Sequence, residues 1–462
     1  MDAIVSTSAR GSAARPLGGS ALRDALAVWT QVSLAGIGGP AKQIATMHRL
    51  AVEERGWISE ERFFHALSYC IALPGPETQQ LAIYVGWLAH RTLGGIIAGG
   101  LFILPGALCM MALCFGYVMG ADSQAGQAIF LGVRPAILAI MAEAIVRFGR
   151  HVLHGRLMLA FAALAFVAAF CKLPLPVIVF VPALLGACAT LAGVPGLARP
   201  ARIGLDGASA DHTGEKLLDR ARGNLAQFAR YLVLWLLLWL APALLLVAGL
   251  GLHNIYTQIS LVFGKVALMA FGGDFAVVVY GAQQAIDSHH WLSAQEVQEG
   301  IAMGEIVPGT IMIVTQFLGF IAAYRDPGQL PPLLAGLFGG LLATWMTFVP
   351  CFLWILAVAP FIEGWRRNAV LNNALQAVTA AAVGVILNLT VWFGIRTLFH
   401  VVEPARYGPL PFDLPNLASF DPWALMLFVC AAIAVFRFRV SAAMTLLGSS
   451  VAGGVLLLLG LG

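Results

Sequence analysis

Two short stretches place polar side chains inside otherwise apolar sequence. One is Leu73-Pro74-Gly75-Pro76-Glu77-Thr78-Gln79-Gln80, the other Gly36-Ile37-Gly38-Gly39-Pro40-Ala41-Lys42-Gln43. Pro74 and Pro76 lack a backbone N–H and Gly75 favours no regular helix, so a continuous helix breaks there. A new helix restarts after Pro76, where a missing amide is no loss. The free N–H groups of Glu77 to Gln79 then point out of a helix N-terminus, which favours an anion. Gly38, Gly39 and Pro40 set up the same arrangement. Gln43, Gln79 and Gln80 add side-chain N–H donors, and Lys42 is the nearest full positive charge. The chemistry is the non-covalent holding of a compact oxyanion. Its candidate ligands are Gly38, Gly39, Pro40, Lys42, Gln43, Gly75, Pro76, Glu77, Thr78, Gln79 and Gln80. A carboxylate beside such a site repels the anion unless protonated, which makes Glu77 a candidate for coupling proton to anion movement. The alternative is that Glu77 serves its own helix dipole. Glu143 and Glu305 are further proton-relay candidates.

The elements that must position these residues are membrane helices. Of 462 residues, 60% are hydrophobic and 11% charged, with a mean hydropathy of +0.85. No soluble domain has this balance. About 13 hydrophobic segments recur along the chain, near 24–40, 64–88, 93–119, 127–146, 157–170, 174–193, 230–251, 256–280, 298–323, 331–359, 372–396, 423–436 and 441–460. The expected fold class is an all-α polytopic membrane protein. Residues 1–23 read as a disordered cytoplasmic tail, since they lack the apolar core of a signal peptide. Residues 24–193 form a first repeat and 194–229 a basic cytoplasmic linker. Residues 230–462 form a second repeat with one extra leading helix.

The halves are related by a constant offset. Shifting the first by 234 positions brings Gly38-Gly39 onto Gly272-Gly273, Trp57 onto Trp291, Ser59 onto Ser293 and Pro74-Gly75 onto Pro308-Gly309. After an 11-residue insertion, Pro105 meets Pro350. A fixed offset through Gly, Trp and Pro landmarks is an internal repeat. Equivalent segments lie seven apart, and an odd separation predicts an inverted repeat with substrate held at the paired breaks. The second half keeps the breaks but loses donors: Gln43, Gln79 and Gln80 become Val277, Ile313 and Val314. It gains Lys265 within an apolar segment, Asp274 and Glu305, each costly in a membrane and so a functional candidate beside Gly272, Gly273, Pro308 and Gly309. Arg134 reads as an interfacial, snorkelling side chain rather than a gate. Tyr84 and Trp87 read as packing.

Basic residues in the tail, in 147–156 and in the linker place the N-terminus in the cytoplasm. Residues 41–62, with Lys42, Arg49, Arg55 and Arg62, then face outward against the rule. Either that stretch folds back or the first segment does not span. The seven Cys have no metal or disulfide spacing. His151, His154, His289 and His290 fall in loops without Cys partners. No nucleotide, zinc-protease or nucleophile-elbow motif occurs, so neither cofactor nor metal is expected, and the chain is not read as an enzyme. The small net charge of +4 disfavours nucleic acid.

The motif-bearing stretches resemble those of the chromate transporter family in its long-chain, two-domain form. They are Gly38-Gly39-Pro40 through Gln43 to His48, Trp57-Ile58-Ser59, Leu73 to Ala82, Tyr84 to Trp87, Phe271-Gly272-Gly273 and Pro308-Gly309. Val307-Pro308-Gly309-Thr310 departs from the usual Pro-Gly-Pro. The resemblance implies an inner-membrane exporter of chromate, with chromate resistance as its outcome. Expected partners are the bilayer and chromate or a related oxyanion, with protons and a second copy of the chain as candidates. Sulfate transport, a membrane-embedded enzyme or lipid-handling protein, and a passive anion channel are the competing readings.

Overall fold

A computed structural model describes residues 19–35, 40–70, 73–120, 123–171, 173, 175–193, 225–269, 274–358, 369–407 and 410–460. The tail before residue 19, linker residues 194–224, Gly38, Gly39, Gly272 and Gly273 lie outside them. The chain is an all-α polytopic membrane protein. Five of its helices are long and apolar enough to cross a membrane, and six more are shorter and apolar. In order, the first half contributes α1 (Gly19–Leu34), α2 (Pro40–His48) with a π-turn (Arg49–Glu54), α3 (Glu60–Cys70), α4 (Glu77–Gly120), α5 (Gln124–Val152), α6 (Arg156–Phe170) and α7 (Leu175–Leu191). After α8 (Leu225–Leu250) come α9 (Ile255–Leu268), α10 (Asp274–Gln283) with a π-turn (Gln284–Ser288), and α11 (Ala294–Ile306). Then follow a 3-10 turn (Ile311–Ile313), α12 (Val314–Arg325), α13 (Pro332–Leu353) and α14 (Ala369–Leu398). A small hairpin, β1 (Val402–Tyr407) with β2 (Leu410–Pro415), precedes α15 (Pro422–Phe436) and α16 (Ala442–Leu458).

The 234-residue offset reappears in the backbone. Both π-turns end in the same bend, where Trp57 N donates to Ala51 O at 2.8 Å and Trp291 N to Ala285 O at 2.7 Å. Ser59 and Ser293 each accept from the amide three residues on, at 3.4 and 3.3 Å. Gly75 and Gly309 share a φ of 116° and 119°, which an L side chain rarely adopts.

The long helix α4 is a hairpin. Its dihedrals leave the helical region at His90 and Arg91. Beyond that point Gly94 packs on Gly86, and a methyl group added at Gly95 would lie 3.0 Å from Ile83 O. Small residues let two antiparallel backbones touch without helix-filling side chains. The second half repeats this with α12 and α13, closed through Gly319 and Gly339.

The first segment, which the sequence leaves open between spanning and folding back, is followed by a chain that returns to its start. Asp24 near the start of α1 pairs with Arg55 of the following turn at 3.0 Å, and Trp57 of that turn packs on Trp29 and on His90 at the α4 hairpin tip. The start of α1, the 55–59 turn and the 90–91 tip therefore share one end of the molecule. Two re-entrant pairs result, α1 with α2 and α3 with the first arm of α4. This places Arg55, within the basic stretch 41–62, at the same end as the start of α1. Segments 64–88 and 298–323 are each split into two helices at the Pro-Gly breaks, as their sequence predicts.

The two halves run in opposite directions. A methyl group at Gly95 would approach Leu356 at 3.2 Å, and one at Gly340 would approach Met111 at 3.3 Å. Adding 245 converts 95 to 340 and 111 to 356, so each contact is the image of the other. The second arm of α4 thus lies antiparallel to α13, as an inverted repeat requires. The halves also interlock: α6 and α7 pack on α14, while α15 and α16 pack on α5.

Candidate functional site

The first break is held by its own side chain. Gln80 Nε2 donates to Pro74 O at 2.6 Å, and Gln80 N reaches Pro76 O at 3.0 Å to begin α4. The amides of Glu77, Thr78 and Gln79 sit in the first turn, where no intrahelical acceptor exists. A Cβ at Gly75 would lie 2.8 Å from Gln80 Nε2 and 3.0 Å from Cys351 Sγ. The break is thus wedged between its own helix and the far end of α13.

Thr78, Gln79 and Gln80 at this break, and Gln43 on the neighbouring α2, have no solvent exposure. Both polar atoms of Gln43, both of Gln79, the Thr78 hydroxyl and Gln80 Oε1 lack a hydrogen-bond partner. Gln43 lies on α2, which packs against α4. An unpaired buried amide costs about 1–3 kcal/mol, and native interiors avoid this. Such a concentration of orphaned groups beside a helix N-terminus calls for a polar guest. Neutral donors fixed in place suit a tetrahedral oxyanion, whose acceptor oxygens can each take an N–H or O–H. Full burial means the cluster is shut off from both ends of the molecule in this conformation.

The second break carries fewer unpaired groups, with Gln316 Oε1 the one left without a partner among its described side chains. Thr310 Oγ1 accepts from Met312 N at 3.2 Å and Thr315 Oγ1 donates to Met312 O at 2.9 Å. Val277, Ile313 and Val314 are buried. Gln316 Nε2 donates to Ala107 O at 3.0 Å. The halves share a backbone but not a polar cluster.

The remaining sequence candidates fall as follows. Pro40 opens α2, Lys42 is exposed, Pro76 and Pro308 are buried, and Glu77 and Glu305 are half-buried. Glu77 lies within electrostatic reach of Cys70 and Cys351 lies near the same thiol. Asp274 opens α10. Glu143 sits 3.7 Å from Arg147 one turn along α5. Lys265 is not deep in the protein: it is exposed on the last turn of α9. Its charge is felt by His289 in the polar bend, whose pKa is lowered by burial and by Lys265. Tyr84 and Trp87 pack together at 5.8 Å. Arg134 does not snorkel. Its guanidinium bonds Glu299, a carboxylate that sequence reasoning passed over because α11 shows no break or motif at that position.

The chain matches the family described as Chromate transporter over residues 23–190 and 257–455. It belongs to the chromate transporter family. It is 26% identical over 388 residues to a chromate transport protein of Cupriavidus metallidurans, covering 82% of this chain and 84% of that one. It is 28% identical over 358 residues to a chromate transport protein of Pseudomonas aeruginosa, covering 77% and 76%. A probable chromate transport protein of Synechococcus elongatus is 27% identical over 368 residues, covering 79% and 82%. No solved structure matches the chain. Both matched regions of this chromate transporter family member contain a Pro-Gly break; the first carries Gln43 and Gln79 with both polar atoms unpaired, the second only Gln316 with its Oε1 unpaired.

Proposed function

We propose that this chain is a secondary transporter that exports chromate from the cytoplasm across the inner membrane and so confers chromate resistance. The observation that carries the reading is the cluster of Gln43, Thr78, Gln79 and Gln80, fully buried with polar atoms unpaired. The relatives named as chromate transport proteins supply the substrate. Two repeats, 24–193 and 230–462, joined by the 194–229 linker, rock about the antiparallel arms to expose the cluster alternately. The end holding Arg55, Arg91 and the start of α1 faces the cytoplasm, since it gathers the short basic turns. A cytoplasm-negative potential drives a dianion outward by about 2.3 kcal/mol per charge per 100 mV. Glu77, half-buried beside Thr78, is the group through which protons enter the cycle. Sulfate has the same charge and shape, and general oxyanion transport is the second reading.

The test is uptake of labelled chromate into inverted membrane vesicles, with and without excess sulfate and a protonophore. Uptake at low chromate that sulfate barely competes supports a dedicated exporter. Equal competition moves the assignment to a general oxyanion carrier. No uptake from vesicles containing folded protein removes the transport reading.

A further inference from the structure

Away from the glutamine cluster, a cleft of about 60 Å³ opens where α5, α14 and the loop before α15 meet. Among its lining residues are Arg134, Gln295, Arg396, Thr397, His400 and Asp421. Asp421 is engaged, accepting from Trp423 N and Ala424 N and lying 3.6 Å from His400 Nε2. Arg396 stacks over Trp392 at 4.2 Å. At the inner edge Arg134 donates through Nε and Nη2 to Glu299 Oε1, at 3.1 and 2.6 Å. The Tyr117 hydroxyl donates to Glu299 Oε2 at 2.7 Å. The Arg134 side chain is 30% exposed and that of Glu299 only 5%. Glu299 is the one carboxylate among the described residues that is buried.

The trio ties the two repeats together, with Tyr117 on α4 and Arg134 on α5 facing Glu299 on α11. It has no image in the other repeat. The 234 and 245 offsets convert Glu299 to His65 and Arg134 to Thr379, whose hydroxyl simply bonds Leu375 O at 2.9 Å. The Glu299 carboxylate is itself an oxyanion, seated on a hydroxyl and on the Arg134 guanidinium, which lines the cleft together with a second guanidinium, that of Arg396. Arg forks recognise carboxylates and tetrahedral oxyanions through the same geometry. We propose that Arg134 is a second oxyanion site in which Glu299 is the tethered occupant, and that a free tetrahedral dianion in the cleft displaces it. Displacement unties the repeats at this end, so arrival or release of the anion is linked to opening. The inference deepens the transport reading and rests on it for the identity of the ion.

The test is equilibrium binding of labelled sulfate to the full chain in nanodiscs of zwitterionic lipid. Gln79→Leu serves as background, to silence the first site. Adding Glu299→Gln removes the competing charge and is expected to tighten the residual binding about tenfold or more, the scale on which close charge pairs couple. Adding Arg134→Gln as well is expected to abolish the gain. Tyr117→Phe keeps both charges but loosens Glu299, and gives a smaller gain even where the Glu299 variant fails to fold. Binding no tighter in either variant, or a gain that survives loss of Arg134, overturns the proposal. So does a gain that vanishes when anionic lipid is added, which assigns the cleft to a lipid phosphate. If Gln79→Leu alone leaves chromate binding whole, the first-break site falls while the Arg134-dependence still decides this one.

Discussion

Gln79 and Gln80 are neighbours of the same type, equally buried, and the structure predicts opposite consequences for removing them. Gln80 Nε2 holds Pro74 O at 2.6 Å, and its loss leaves a buried carbonyl unpaired at a strained turn. Gln80→Leu is therefore expected to destabilise by about 1–3 kcal/mol. Gln79 has neither polar atom paired, so the empty protein already bears the desolvation of that amide. Gln79→Leu, of similar volume, removes it and is expected to stabilise the unliganded protein by about 1–2 kcal/mol. The same change deletes a hydrogen bond to a charged ligand, worth about 1.5–3 kcal/mol, or roughly ten- to a hundredfold in affinity. Thermal unfolding in detergent, with and without chromate, reads both effects. The parent should gain a chromate-dependent shift; Gln79→Leu should unfold at a higher temperature and show little shift. If Gln79→Leu loses stability as Gln80→Leu does, its amide has a protein partner and the reasoning that makes it a ligand fails.

Other predictions follow from the same geometry. Gly309→Ala should cost about 1–3 kcal/mol from its left-handed backbone alone, because a Cβ there meets nothing nearer than Phe102 O at 3.8 Å; Gly75→Ala should cost more, by crowding Gln80 and Cys351, and denaturant titration compares the two. Burial tends to raise the Glu296 pKa, but hydrogen bonds from Ser293 and Arg325 outweigh it and hold the carboxyl below its ordinary value near 4.5. A depressed folded pKa contributes stability above the unfolded value and loses it as pH falls through the folded one, so Glu296→Gln should flatten the loss of stability on acidification below about pH 4.5. Glu77→Gln should transport chromate without pH dependence; a profile matching the parent's places coupling elsewhere.

Much of this architecture is legible in the residues. Pro74, Gly75 and Pro76 announce a break because their backbones cannot continue a helix, and the fixed offset of Gly, Trp and Pro landmarks announces the repeat. The loss of donors at Val277, Ile313 and Val314 is likewise read directly from the offset, and all three are buried apolar side chains in the structure. Re-entrant topology was less visible. Hydropathy reports apolar length, not direction; it separates 64–88 from 93–119 at the His90-Arg91 turn but does not say that the chain doubles back within the fold. The trace it leaves is the run of small residues at Gly86, Gly94, Gly95 and Gly99, which only close backbones require. Lys265 lies in an apolar run but on the exposed side of the last turn of α9, which hydropathy does not resolve. Arg134 and Glu299 were hidden for a different reason: they are 165 positions apart, and nothing local in either helix records a partner in the other repeat.

The central claim is a location: the oxyanion sits at the first break, between Gln43 on α2 and Thr78 and Gln79 at the start of α4. A cryo-electron microscopy map of the full chain with chromate tests it most directly. The account predicts a compact density of heavy scattering within hydrogen-bond reach of those three side chains, absent from the Gln79→Leu map. Density at the second break beside Val277 and Ile313, with none at the first, would contradict it.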